Sequence, residues 1–283
     1  MLPSQTERRL PAPLGGPHVL FNGSFVIEFL QPAPELNASV LMRATYKGEH
    51  EFTKLGKNHP QAPPLHIHFS QSETFLVEAG AIGTTTTYDM IDTVHTMRAA
   101  HHQVVPRQGL SPPVPSRDAN GATAIPPWTP HNFWPVAPTH PFWSTPEGRE
   151  YERTLPNGRT SDTTILVWGH PKTSTGPPTG ALATDFPPDM DAAFFLALLG
   201  LVDAISAKRV AMTPSLFAKL FSMQTVGQAA LIMAPTAWWL GPLRWWVPWT
   251  AQVALEKVRE LLGGSRPVIV VEEVIQNVVI KQQ

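Results

Sequence analysis

Between residues 17 and 170 the chain breaks into short apolar or alternating runs separated by Gly, Asn and Pro. The runs cover residues 19–21, 24–30, 39–46, 65–69, 74–78, 84–90, 133–136 and 163–168. Alternation with a period of two, bounded by turn residues, predicts strands half buried on a sheet. Many short strands at this spacing predict a mainly β domain, a sandwich or a barrel. Residues 106–121, rich in Pro, Ser, Gly and Asn, are expected to form an exposed loop.

The period changes beyond residue 170. Residues 171–188 have linker composition. Asp189 and Asp191 precede an apolar run over 192–205 that Lys208 and Arg209 close, the charge order of a helix. Thr213 and Pro214 read as an N-cap followed by proline at the first helical position. A third helix is expected over 251–262, ended by Gly263 and Gly264. The β-branched stretches 267–271 and 278–280 are expected to return to the sheet. The layout is therefore a β domain over 17–170, a helical, Trp-rich extension over 189–265 and a tail over 266–283.

Composition narrows the function classes. Hydrophobic residues make up 42% of the 283, enough for a sizeable core. Lys plus Arg number 21 against 22 Asp plus Glu, with no dense basic stripe, which disfavours nucleic acid as a partner. Cysteine is absent, so disulfides, thiolate ligands and a cysteine nucleophile are excluded. No apolar run follows Arg8 and Arg9 as a signal peptide requires, and a cytoplasmic protein is expected.

The candidate chemistry lies in His66-Ile67-His68-Phe69-Ser70-Gln71-Ser72-Glu73. Alternate residues of a strand share a face, so His66 and His68 can reach one ion. Glu73, opening the returning strand, can offer an oxygen to the same point. Imidazole with carboxylate suits Fe, Mn, Zn, Ni or Cu better than Ca or Mg. If Glu73 faces inward, Phe75 and Val77 share its face, and Phe133 shares that of His131; these three are the candidate substrate-pocket residues, or equally they fill the barrel core. Glu78, of opposite parity, is expected to face away. His95, His101, His102, His140 and His170 read as surface or loop histidines.

His66-x-His68, four residues, Glu73, six residues, Gly80 is similar to the first motif of the cupin superfamily. The glycine that opens that motif falls at Pro60. The stretch Pro126-Pro127-Trp128-Thr129-Pro130-His131 resembles the second motif, with its proline and histidine in place. Trp128 stands at the motif's glycine and Pro135 at its asparagine. The resemblance implies a double-stranded β-helix (jelly-roll) barrel and one divalent transition metal held by His66, His68, Glu73 and His131. Glu73 is also the candidate catalytic residue. Closing that site requires Trp128 to replace a turn glycine.

Trp238, Trp239, Trp245, Trp246 and Trp249 lie within twelve residues, interrupted by Pro242 and Pro248. Packing onto the barrel or a homodimer contact is favoured over a substrate lid, and membrane contact is disfavoured. A barrel followed by such an extension resembles the cupin proteins of fungal secondary-metabolite clusters. That layout implies a tailoring enzyme, an oxidoreductase or an isomerase or cyclase, working on an apolar polyketide or terpenoid by oxidation, isomerisation, dehydration or cyclisation. The alternatives are a metal-free pericyclase or isomerase on the same scaffold, and a non-catalytic ligand-binding protein.

Overall fold

Apolar side chains at alternate positions give each central strand an inward row, and these rows close on one another. The computed structural model describes residues 13–32, 34–102, 114–115, 117–171, 191–226 and 229–261. In chain order its strands are β1 (Pro13–Leu20), β2 (Phe25–Leu30), β3 (Val40–Tyr46), β4 (His66–His68), β5 (Glu73–Ala79), β6 (Ala81–Thr86), β7 (Ile91–Thr96), β8 (Ala100–His102), β9 (Ala122–Ile125), β10 (His131–Pro135), β11 (Thr163–Gly169) and β12 (Ala229–Leu231). Its helices are α1 (Pro146–Glu152), α2 (Ala192–Ser206), α3 (Pro214–Val226) and α4 (Leu243–Leu261).

Two antiparallel sheets result, ordered β1-β2-β3-β11-β5-β9 and β12-β4-β10-β6-β7-β8. The chain crosses between them at β3–β4, β4–β5, β5–β6, β8–β9, β9–β10, β10–β11 and β11–β12. That connectivity is a jelly roll, the mainly β fold expected, with a helical C-terminal extension. Phe25, Ile27, Val40, Met42, Phe75, Val77, Ile165 and Val167 belong to the core between the sheets. Leu30, Leu41, Leu76, Leu166 and Trp168 form a second apolar layer on the outer face of the first sheet. Gly80 turns β5 into β6 at φ +67°, and a Cβ there would lie 2.5 Å from Thr163 Oγ1 and 2.6 Å from the Asp162 carbonyl. Only glycine fits.

The extension completes the barrel. Asp191 caps α2 by accepting from Phe194 N at 2.8 Å, and Phe195, Leu199 and Val202 of that helix pack on the barrel core. Asp203 accepts the Phe21 amide at 2.7 Å and pairs with Arg209. β12 pairs with β4, Ala229 opposite His68 and Leu231 opposite His66. Gln252 of α4 donates to the Ala229 carbonyl at 2.9 Å and so fastens β12 from outside.

The third helix begins eight residues earlier than the sequence pattern indicates, at Leu243, and runs through Pro248. Proline lacks the N–H that would bond the Arg244 carbonyl, and Met233 N donates to that carbonyl instead, at 2.9 Å. Among the tryptophans of this segment, Trp249 is buried against Phe69, whereas Trp239 and Trp246 are exposed. No helix of the described residues is long and apolar enough to cross a membrane. The strand expected over 84–90 stops at Thr86, because Thr87 and Met90 take positive φ and turn the chain. Residues 172–188 of the expected linker, 106–113 and 116 of the expected loop, 262–265 at the end of the expected third helix and extension, and the tail over 266–283 lie outside the described residues.

His59 is 2% exposed, ringed by Phe21, Tyr46 and Phe52. Burial, helped by the charge of His50, lowers its pKa from 6.5 to about 4. The unfolded chain therefore binds this proton between those values and the folded one does not. The stabilisation is complete above pH 6.5 and disappears as pH falls toward 4, on the order of 3 kcal/mol in all. Urea titrations across that window should show a shallower acid loss in His59→Gln than in the native protein; equal slopes would disprove the assignment.

Candidate metal centre

β4 is three residues long, and its alternation turns both imidazoles toward the barrel interior. His131, the first residue of β10, is paired directly with His66. Glu73, the first residue of β5, lies opposite Gly169 of β11 and Ile125 of β9. Three strand ends from two sheets thus meet at one place. Ring centroids are 5.0 Å apart for His66 and His68, 4.6 Å for His66 and His131, and 5.5 Å for His68 and His131. One nitrogen from each of the three rings lies within 4.8 Å of the others. Glu73 is outside that three-histidine group and is held to it by a hydrogen bond, His131 Nε2 to Glu73 Oε2 at 3.0 Å.

Backbone carbonyls select the tautomers. His66 Nδ1 donates to the Pro64 carbonyl at 2.9 Å, and His131 Nδ1 donates to the Thr129 carbonyl at 2.8 Å. In His66 this leaves Nε2 to turn a lone pair to the centre; in His131 the same holds once Nε2 gives up the proton it donates to Glu73. Such carbonyl bonds are the outer support that metal-bound histidines commonly have. The 3.0 Å between His131 Nε2 and Glu73 Oε2 also suits two neighbouring ligands of one ion, which sit about 3 Å apart when each bond is near 2.1 Å. The donor set fits a divalent transition metal.

Electrostatics keep the donors in metal-binding form. Burial, with the charges of His131 and His68, pushes His66 well below the usual histidine range, so it is neutral. Burial raises the Glu73 carboxyl, but the hydrogen bond and charge of His131, aided by His68, outweigh this and hold it below its ordinary value. Glu73 keeps 20% of its side-chain surface accessible, through the cavity.

That cavity has a volume of about 300 Å³ and is lined by His66, His68 and Glu73 at one place and by Phe25, Met42 and Val167 elsewhere. Phe133 lines it as expected. Phe75 and Val77 do not: they share the inward face of Glu73, yet they pack into the core, Phe75 against Phe133 and His95. The wall is supplied instead by β2, β3, β11 and by Phe194, Leu198 and Val202 of α2. The sequence signal for the helix's part was an apolar run with little polar relief. His95 also differs from a surface reading, being 4% exposed on β7 with Nε2 2.9 Å from Thr84 Oγ1. Glu78 turns away and pairs with Arg43 at 2.8 Å.

Trp128 meets the requirement set by the missing glycine. Its φ is +66°, and its N–H donates to the His68 carbonyl at 2.8 Å, tying the turn before His131 to β4. Pro127 precedes it, the composition of a type II turn in which the third residue takes positive φ. The indole packs on Phe69 at 4.8 Å and Trp245 at 5.1 Å.

No family model and no curated protein matches this chain. Among solved structures, the capsular polysaccharide assembling protein CapF from Staphylococcus aureus is 11% identical with a TM-score of 0.27, over 62% of this chain and 31% of CapF. A cupin-2 domain from Rhodospirillum rubrum is 13% identical with a TM-score of 0.26, over 64% of this chain and 85% of its own. The hydroxypropylphosphonic acid epoxidase from S. wedmorenis is 10% identical with a TM-score of 0.24, over 59% and 57%. The chain thus matches less than a third of CapF and little over half of the epoxidase.

The Trp128 turn has a testable energy balance. Glycine there relieves about 1–2 kcal/mol of left-handed strain but forfeits indole packing of about 3 kcal/mol. Alanine forfeits the packing and keeps the strain. Urea denaturation should rank native protein above Trp128→Gly, and Trp128→Gly above Trp128→Ala, in steps of about 1–2 kcal/mol.

Proposed function

We propose that the chain is a metal-dependent enzyme of the cupin type that modifies an apolar small molecule. The observation that carries this reading is the three-histidine group, with Glu73 beside it, opening onto a largely apolar cavity of about 300 Å³. His66, His68 and His131 would hold the ion through Nε2, with Glu73 as the fourth ligand. A divalent transition metal in such a site supplies Lewis-acid polarisation of a substrate oxygen or, as Fe(II) or Mn, oxygen activation. The cavity walls exclude water and orient a hydrophobic substrate. Glu73, kept ionised by His131, can take a proton at Oε2. The resemblance to cupins of fungal secondary-metabolite clusters makes a polyketide or terpenoid the substrate class, with oxidation, isomerisation, dehydration or cyclisation as the reaction. Exposed Trp239, Leu243 and Trp246 support a homodimer contact on the outer face of the extension.

The direct bond between His131 and Glu73 favours one other reading. The pair would then shuttle a proton in a metal-free isomerase, and chelators would leave turnover unchanged.

Elemental analysis separates the two. The native protein should carry about one transition-metal ion per chain, while His66→Ala and His131→Ala should carry few or none yet keep the native far-UV spectrum. Equal metal content in all three proteins would reject the metal assignment.

A further inference from the structure

The cavity has a second polar group besides the histidines and Glu73. Tyr46 closes β3, and its hydroxyl donates to Gln61 Oε1. Both residues line the same cavity as Glu73. Along β11, Gly169 stands opposite Val40 and Glu73, while Thr163 stands opposite Tyr46. Tyr46 and Glu73 therefore stand beside opposite ends of β11, while Gln61 enters the same cavity from the loop five residues before His66.

The Gln61 amide is held in one orientation. Tyr46 is 1% exposed, and burial pushes its pKa far up, so its phenol stays protonated and needs an acceptor. Gln61 Oε1 supplies that acceptor; turning the amide over would leave the phenolic proton facing another donor. The loop is fixed as well, because Gln61 N donates to His59 Nδ1 at 3.1 Å, and His59 Nε2 lies 3.1 Å from Ser24 Oγ, which donates to the Phe21 carbonyl at 2.7 Å. Phe21 N in turn donates to Asp203 of α2. Gln61 Nε2 has no hydrogen-bond partner among the described residues and is not one of the solvent-sealed atoms. An oriented N–H donor is thus presented to an otherwise apolar wall built from Phe25, Ile27 and Ala44.

We propose that Gln61 is a recognition site for a carbonyl or ether oxygen on an apolar ligand that occupies the cavity it shares with the histidine centre. The ligand class follows from the chemistry of the wall: a donor answers an acceptor, and the apolar sides answer a carbon skeleton without charges. A carboxylate or a phosphate ester would gain less, since no Lys or Arg lines the cavity. Tyr46 acts through Gln61 as a positioning residue. The proposal rests on the reading of this cavity as the substrate site, and it does not depend on the metal being bound.

The probe is the solvatochromic naphthyl ketone prodan, titrated into the native protein, Gln61→Leu and Tyr46→Phe, with metal content measured on the same samples. Native protein should bind prodan with the red-shifted emission of a hydrogen-bonded carbonyl. Gln61→Leu should bind about tenfold more weakly with blue-shifted emission, the loss of one hydrogen bond in an apolar site. Tyr46→Phe, which keeps the packing and frees the amide to turn, should fall between them. A naphthalene lacking the carbonyl should bind all three alike. Equal affinity and emission for prodan in native protein and Gln61→Leu overturns the proposal, as does absence of prodan binding to the native protein. Failure of the metal reading would appear separately, as low metal content in native protein that still binds prodan through Gln61.

Discussion

His66 and His68 face the cavity because a strand of only three residues is held along both edges. On one side β10 contributes the single register pair of His66 with His131; on the other, β12 pairs residue for residue with β4. A strand this short has too few hydrogen bonds to fix its own register, and a slip of one residue would turn Ile67 inward and both imidazoles out. The geometry of the site is therefore set by its neighbours. Gln252 fastens β12, Trp128 donates to the His68 carbonyl, and Phe69 is enclosed by Trp128, Trp245 and Trp249.

The same device explains a turn that departs from the cupin motif it resembles. Glycine is the ordinary residue at positive φ because it has no Cβ to clash. Here the strain of a tryptophan in that conformation is offset by the surface it buries between Phe69 and α4. The turn before His131, the strand before Glu73 and the C-terminal helix thus share one aromatic contact. The cavity has a similar division of labour: the ends of β4 and β5 give it the polar donors, while β2, β3, β11 and α2 give it apolar walls.

Much of this was legible in the residues. Strand parity put His66, His68 and Glu73 on the cavity side and Glu78 on the other, and Asp191 and Thr213 marked helix starts because local capping does not depend on tertiary context. Parity alone does not tell core from cavity and leaves both open for Phe75 and Val77, which the structure places in the core: an inward side chain meets empty space only where the opposite wall stands back. α4 was read short because Pro248 removes an N–H, and the substitute donor, Met233, comes from a distant turn. Gln61 carried no signal at all, since its role arises from a tyrosine fifteen residues earlier in the chain.

β12 joins β4 across about 160 residues of intervening chain, and that separation bears on the order of assembly. A nascent chain that has emerged only as far as Gly169 already possesses β1 to β11 and every one of the four candidate ligands. It still lacks the outer partner of the histidine strand, whose peptide groups then face water or any other extended chain that can pair with them. The corner that gathers the three histidines and Glu73 therefore gains its last strand, and the Gln252 bond that fastens it, only when the chain through α4 has left the ribosome.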